Sequence, residues 1–160
     1  MQKSKPMALG VISDTHGSVR PEALEALRGC ERIVHAGDIG GADVLSELAT
    51  VAPITAVRGN NDRGAWADDV PHERVIEFGG FSVYVVHEPA HVPDDVVARG
   101  YDVVVTGHTH RPSIERRDGV LFVNPGSAGP RRFTLPVTLA RLWVADGALE
   151  SELVEIVPPA

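Results

Sequence analysis

The stretch "MALGVISDTHGSVRPEALEALRGCERIVHAGD" runs from Met7 to Asp38 and sets the fold class. Two strand-like apolar runs, Met7–Ser13 and Arg32–Gly37, flank a segment with helical spacing. In that segment Ala23, Leu24 and Leu27 recur on one side, Pro21 stands in the first turn and Gly29 near the end. The alternation then repeats. "GADVLSELAT" places Val44, Leu45 and Leu48 at the same spacing, and "PITAVRG" at Pro53–Gly59 is a third strand. Strand and helix in turn predict right-handed βαβ units and a mainly parallel sheet.

The pattern changes beyond Asn60. "ERVIEFGGFSVYVVH" at Glu73–His87 predicts a hairpin turning at Gly79–Gly80. "PDDVVARG" predicts a short helix starting at Pro93, and "DVVVTG" a further strand. Two more hairpins are expected, turning at Asp118–Gly119 and Asp146–Gly147. Two sheets packed face to face with helices outside would house both halves.

The bulk numbers narrow the function. A chain of 160 residues fits one domain, 1–160, and can enclose a sizeable core. Hydrophobic content of 43% and charged content of 23% are those of a folded soluble protein and exclude disorder. A net charge of −7 argues against an extended nucleic-acid surface, because such surfaces are basic. Cys30 stands alone, so no internal disulfide and no thiolate metal cluster can form. The start "MQKSKPMALGVIS" reads as neither signal peptide nor membrane span, which leaves the cytoplasm as the expected location and no membrane partner. A homodimer is expected only from the commonest symmetry.

Polar residues gather behind the strands. "ISDTHG" offers Asp14 and His16, "HAGDIGG" Asp38, and "VRGNNDRG" Asn60, Asn61 and Asp62. "YVVHEPAH" offers His87 and His91, and "TGHTHRP" His108 and His110. In sheets with βαβ crossovers, ligand sites form at the carboxyl ends of strands, so these groups should converge. In extended backbone, residues i and i+2 project to one side, so Asp14 with His16, and His108 with His110, should face common points. Imidazole and carboxylate suit Mn, Fe, Co, Ni or Zn. Seven ligands are too many for one tetrahedral ion and suit two ions sharing a carboxylate.

"SDTHG", "HAGDIGG", "RGNND", "VVHE", "TGHTH" and "NPGS" together resemble the ordered motifs of the calcineurin-like metallophosphoesterase superfamily. The short length and "NPGS" resemble its small bacterial and archaeal phosphodiesterase branch. The resemblance implies a four-layer α/β/β/α sandwich of two packed mixed sheets flanked by helices. It implies a first metal on Asp14, His16, Asp38 and His110, and a second on Asp38, Asn60, His87 and His108. It implies hydrolysis of a small phosphoester, nucleotide-derived diesters among them, by a hydroxide bridging two divalent ions. Manganese is placed first, with Fe, Ni, Co, Zn and Mg as alternatives. Asp38, Asn60, Asn61 and His108 are the positions expected to act directly on the reaction. The resemblance extends to a non-catalytic scaffold of the same fold, the small retromer subunit, which has lost metal-binding histidines. A metal- or nucleotide-binding regulator is the third reading.

Two positions depart from the superfamily's pattern. Many of its phosphatases have a histidine after the ligand asparagine, where this chain has Asn61. That histidine assists the leaving group, so diesters with acidic leaving groups are the expected substrates. Glu88 stands where glycine is usual, and it would crowd the pocket mouth, hold a partner of a ligand, or point to water. Among weaker candidates, His35 is expected either as a satisfied core histidine or as a donor to Asp38. His91 is a pocket or surface residue, His72 a solvated one, and Asp62 a support of the "GNND" loop. Arg63, Arg111, Arg131 and Arg132 are candidates to grip phosphate, and Trp66, Phe133 and Trp143 are expected to pack.

Overall fold

A computed structural model of the chain describes residues 7–157. Ten strands form two five-stranded mixed sheets. The first is built on β1 (Ala8–Ile12), β2 (Cys30–His35) and β3 (Ile54–Ala56), which run parallel. Helix α1 (Pro21–Ala26) joins β1 to β2, and α2 (Ala42–Ala49) joins β2 to β3. The antiparallel hairpin β9 (Val137–Ala145) and β10 (Ala148–Val157) completes that sheet beside β1, in the order β10-β9-β1-β2-β3. A one-turn helix, α3 (Ala65–Asp68), leads to the second sheet.

The second sheet has the order β4-β5-β6-β8-β7. Its members are β4 (Glu73–Phe78), β5 (Phe81–Val86), β6 (Val103–Val105), β7 (Ser113–Arg117) and β8 (Val120–Asn124). β5, β6 and β8 are parallel, and the edge strands β4 and β7 are antiparallel to their neighbours. The turn pairs Asp118–Gly119 and Asp146–Gly147 all have positive φ, the conformation that two-residue hairpins require.

Strand alternation sorts the side chains into layers. Leu9, Val11, Val34, Val83, Val85, Val103 and Val105 point between the sheets and form the central core. Ala8, Ile12 and Ile33 point the other way, under Leu27, Val44 and Leu48 of the α1 and α2 segments. Strands buried on both faces read as the continuous apolar runs seen in the sequence. Trp66 and Trp143 pack against this outer core, as expected.

The outer face of the second sheet differs from the expectation of a helix at Pro93. Tyr84, Val86, Val104 and Val120 are covered by Val96 and Tyr101, whose segment is a 3-10 turn (Pro89–His91) followed by turns over 94–100. Within that run the Arg99 N–H reaches the Asp95 carbonyl, but the Gly100 N–H reaches back only to Val97. Two adjacent β-branched residues, Val96 and Val97, disfavour helix, and Gly100 at φ +80° ends the run. A fourth layer is present, but it is made of turns.

Candidate metal centre

The loops that carry the expected ligands all leave the carboxyl ends of strands along one edge of the sandwich. Past β1 and β2 the chains stay paired: the Asp14 N–H donates to the Gly37 carbonyl, His16 to Asp38, and Gly17 to Ile39. Asp62 joins the third loop to them. Its buried carboxylate accepts from the backbone N–H groups of Ile39, Gly40 and Gly59 at 2.8–3.2 Å. That is the support expected of it, extended to a second loop. Gly59 is needed for the closeness: a Cβ there would lie 2.1 Å from the Asp38 nitrogen.

Asp14 with His16, and His108 with His110, do converge, but not by extended backbone. β1 ends at Ile12 and β6 at Val105, before any of these residues. Asp14, His16, Asp38, His108 and His110 all have φ between +50° and +71°. Among the described residues only eight non-glycine positions have positive φ, and these five are the majority. Each costs of the order of 1–3 kcal/mol, and such strain persists where surrounding structure over-determines it. Left-handed turns, tied down by neighbouring loops, aim these side chains.

Two groups of ligating atoms result, Asp14–His16–His110 and Asp38–His87–His108, each with its atoms within 4.8 Å of one another. Asp14 Oδ1 lies 3.5 Å from His110 Nε2, 3.8 Å from His16 Nε2 and 3.9 Å from His87 Nε2. Asp38 Oδ2 lies 3.3 Å from His87 Nε2 and 3.9 Å from His16 Nε2, so it faces both groups. Asn60 Oδ1 stands 3.2 Å from His108 Nδ1. Asn61 holds Asp38 twice, donating its backbone N–H to Oδ1 and its amide to Oδ2, both at 2.9 Å.

The electrostatics are those of a site built for cations. Asp14 and Asp38 are almost wholly buried. Burial pushes their carboxyls up, but contacts with His110, Ser13 and His87 hold Asp14 below the usual range. His87 and Asn61 hold Asp38 well below it. Burial pushes the His87 imidazole down, and the two carboxylates outweigh it and leave it raised. His87 Nδ1 contacts the Ala36 carbonyl at 2.7 Å, to which only an N–H can bond. In the neutral ring, Nε2 therefore turns a lone pair toward Asp38 and Asp14. Only a proton or a metal cation reconciles those facing lone pairs. Consistently, Asp14 Oδ1 and His87 Nε2 are buried atoms with no hydrogen-bond partner, as is His110 Nδ1. The donor set of imidazole, carboxylate and carboxamide fits a divalent transition metal.

Several supporting residues carried no role in the sequence reading. Ser13 Oγ donates to Asp14 Oδ2 at 2.6 Å, and Ser127 Oγ donates to the Asp14 carbonyl. Asn124 donates to the Gly107 carbonyl and to Thr109 Oγ1, so "NPGS" braces the loop bearing His108 and His110. The available signal was their position: polar residues ending buried apolar strands need partners. His35 is the satisfied core histidine of the two alternatives. Its Nδ1 accepts from the Gly37 N–H and its Nε2 pairs with Thr15 Oγ1, which leaves no N–H for Asp38.

The other candidates divide between the ligands' surroundings and the rest of the surface. Arg111 lines a cleft of about 550 Å³ over the outer face of the second sheet. Beside Asn60, His87 and Glu88 lies a cleft of about 170 Å³ whose walls include Arg58, His72 and His91. Arg63 and Arg132 are exposed. Phe133 does not pack as expected; it is 86% exposed, on a loop with no strand to place it.

The calcineurin-like phosphoesterase superfamily domain matches residues 7–147. A probable metallophosphoesterase of Methanothermobacter thermautotrophicus is 36% identical, over 96% of this chain and 95% of that protein. A phosphodiesterase of Methanocaldococcus jannaschii is 32% identical over 75% of this chain and 83% of its own length. Among solved structures, one described as a novel archaeal phosphodiesterase superposes with a TM-score of 0.76 at 26% identity, covering 92% of this chain and 100% of that one. The chain belongs to the calcineurin-like phosphoesterase superfamily.

Proposed function

We propose that this member of the superfamily is a phosphodiesterase that works with two divalent transition-metal ions. Asp14, His16, Asp38 and His110 would hold the first, and Asp38, Asn60, His87 and His108 the second. One observation carries the reading: two buried carboxylates and four imidazoles, carried on four loops, aim ligating atoms into one space, with Asp14 Oδ1 and His87 Nε2 unpartnered. When bound, such a pair of ions acidifies water and offsets charge on phosphoryl oxygens.

The chain's own residues set the geometry. The Ala36 carbonyl fixes the His87 ring, and Asn61 fixes both oxygens of Asp38, so the shared carboxylate has one orientation. Asn61 occupies the place of a leaving-group acid and has no proton to give at neutral pH. Diesters whose leaving groups depart without protonation, aryl diesters first among them, are therefore favoured. Manganese is the ion of first choice on the resemblance to the family, and the nitrogen and oxygen donors equally accept Fe, Ni, Co or Zn. Among the described residues no helix is long and apolar enough to cross a membrane.

The test is metal analysis joined to a chromogenic aryl phosphodiester assay. Two ions per chain with turnover are expected, and Asp38→Asn should lose turnover by more than about 100-fold, beyond what indirect partners of ligands cost. Metal without turnover would indicate a regulator, and neither would indicate a scaffold.

A further inference from the structure

Among the residues grouped as ligands of the second ion, His108 is the one whose ring has no backbone anchor. The His87 ring is fixed by the Ala36 carbonyl, whereas the His108 side chain is 41% exposed and follows a left-handed backbone. Two groups contact its nitrogens. Asn60 Oδ1 is 3.2 Å from Nδ1, and Glu88 Oε1 is 3.6 Å from Nε2. The other carboxylate oxygen, Oε2, lies 3.3 Å from His91 Nδ1. Glu88 is only half-exposed, and its extended backbone at the start of the 3-10 turn turns its side chain across the mouth of the site.

The pairing of nitrogens decides what Glu88 does. Asn60 Oδ1 and His108 Nδ1 are spaced as two ligands of one ion are. A ring that gives Nδ1 to a metal carries its proton on Nε2, which here faces a carboxylate. Metal-bound histidines are commonly oriented by such a carboxylate, which fixes the tautomer and raises the ring's donor strength.

We propose that Glu88 is a positioning residue for the second ion: it accepts the outer N–H of His108, and His91 holds it in place. This rests on the two-ion reading above. The glutamate then neither blocks the pocket nor points idly to water. It supplies the restraint that the exposed ring of His108 lacks.

Calorimetric titration of metal-free protein with Mn²⁺ tests it, using wild type, Glu88→Gly, Glu88→Ala and Glu88→Gln. Wild type should bind two ions. In Glu88→Gly and Glu88→Ala one of the two steps should fall about 10–100-fold while the other step and the metal-free melting temperature stay put. Glu88→Gln should recover most of the loss, because its amide oxygen still accepts an N–H. Two unchanged affinities in either truncation overturn the Glu88 role alone. Equal loss in Glu88→Gln also overturns it, since charge or direct ligation would then be at work. Wild type that binds fewer than two ions overturns the two-ion reading and this one with it.

Discussion

The two ligand groups are built differently. Around Asp14 and His110 the protein closes in: both are buried, and Ser13, Ser127 and the His108 N–H bond to Asp14. The group of Asp38, His87 and His108 is buried on one side only, and His108, Asn60 and Asn61 reach the surface. Both departures from the superfamily's pattern, Asn61 and Glu88, stand on that open side. The closed group is fixed by the fold, and the open group is where a change of residue alters chemistry without disturbing the core.

The sharpest way to break this contrast is to remove one histidine from each group. His110→Ala and His108→Ala should both reduce phosphodiesterase turnover by more than about 100-fold, since each strips a proposed ligand. Their metal-free stabilities should separate. His110→Ala leaves a buried gap beside an uncompensated carboxylate and should cost about 1–3 kcal/mol. His108→Ala, at an exposed ring, should stay within about 0.5 kcal/mol of wild type. Denaturant melts in chelator measure both. Equal destabilisation would mean that the two groups are equally part of the folded frame.

A smaller effect sharpens the open side. Asn61→His would restore an acid at the leaving-group position but lose the amide that holds Asp38 Oδ2. A well-placed general acid is worth about 10²–10⁴-fold. With Asp38 loosened, a gain of about tenfold is expected in kcat/KM for an alkyl diester relative to an aryl diester. An unchanged ratio would leave Asn61 as a holder of Asp38 and nothing more.

Much of this was legible in the chain because strands buried on both faces must be apolar throughout, and polar residues at their ends then stand out. Asp14, Asp38, His87 and His110 are found that way, and so is the order of the strands' contribution. What misled was conformation. The i, i+2 spacing of Asp14 and His16 fits a strand, yet the residues sit in left-handed turns that only the paired loops of 14–17 and 37–39 enforce. The turns over 94–100 failed for a related reason: "PDDVVARG" has the start signal of a helix, but its length and its β-branched pair give too few hydrogen bonds to propagate one. Asn124 was hidden because its partners, the Gly107 carbonyl and Thr109 Oγ1, lie well back along the chain, and Ser13 because only the folded turn aims its hydroxyl at the neighbouring Asp14.

The closed side also predicts a pH effect, the smallest of the set. His35 lies beneath the loops of Asp14 and Asp38, joined to Thr15 and to the Gly37 N–H. Full burial drives its imidazole from 6.5 down to about 4, against the pull of nearby carboxylates. The unfolded chain therefore takes up a proton at His35 as pH falls below 6.5, while the folded chain does not until about 4. Stability is lost as pH falls through that window, by about 1 kcal/mol between pH 7 and pH 5.5. His87 works in the opposite sense: its raised value favours folding at low pH, and that contribution disappears as pH rises through the folded value. Comparing wild type with His35→Gln removes the His87 contribution, because both proteins share it. In chelator, the melting temperature of wild type should drop more steeply from pH 6.5 to 4.5 than that of His35→Gln. Parallel slopes would show that His35 can accept its proton without parting the two loops, and the closed group would then be softer than its burial implies.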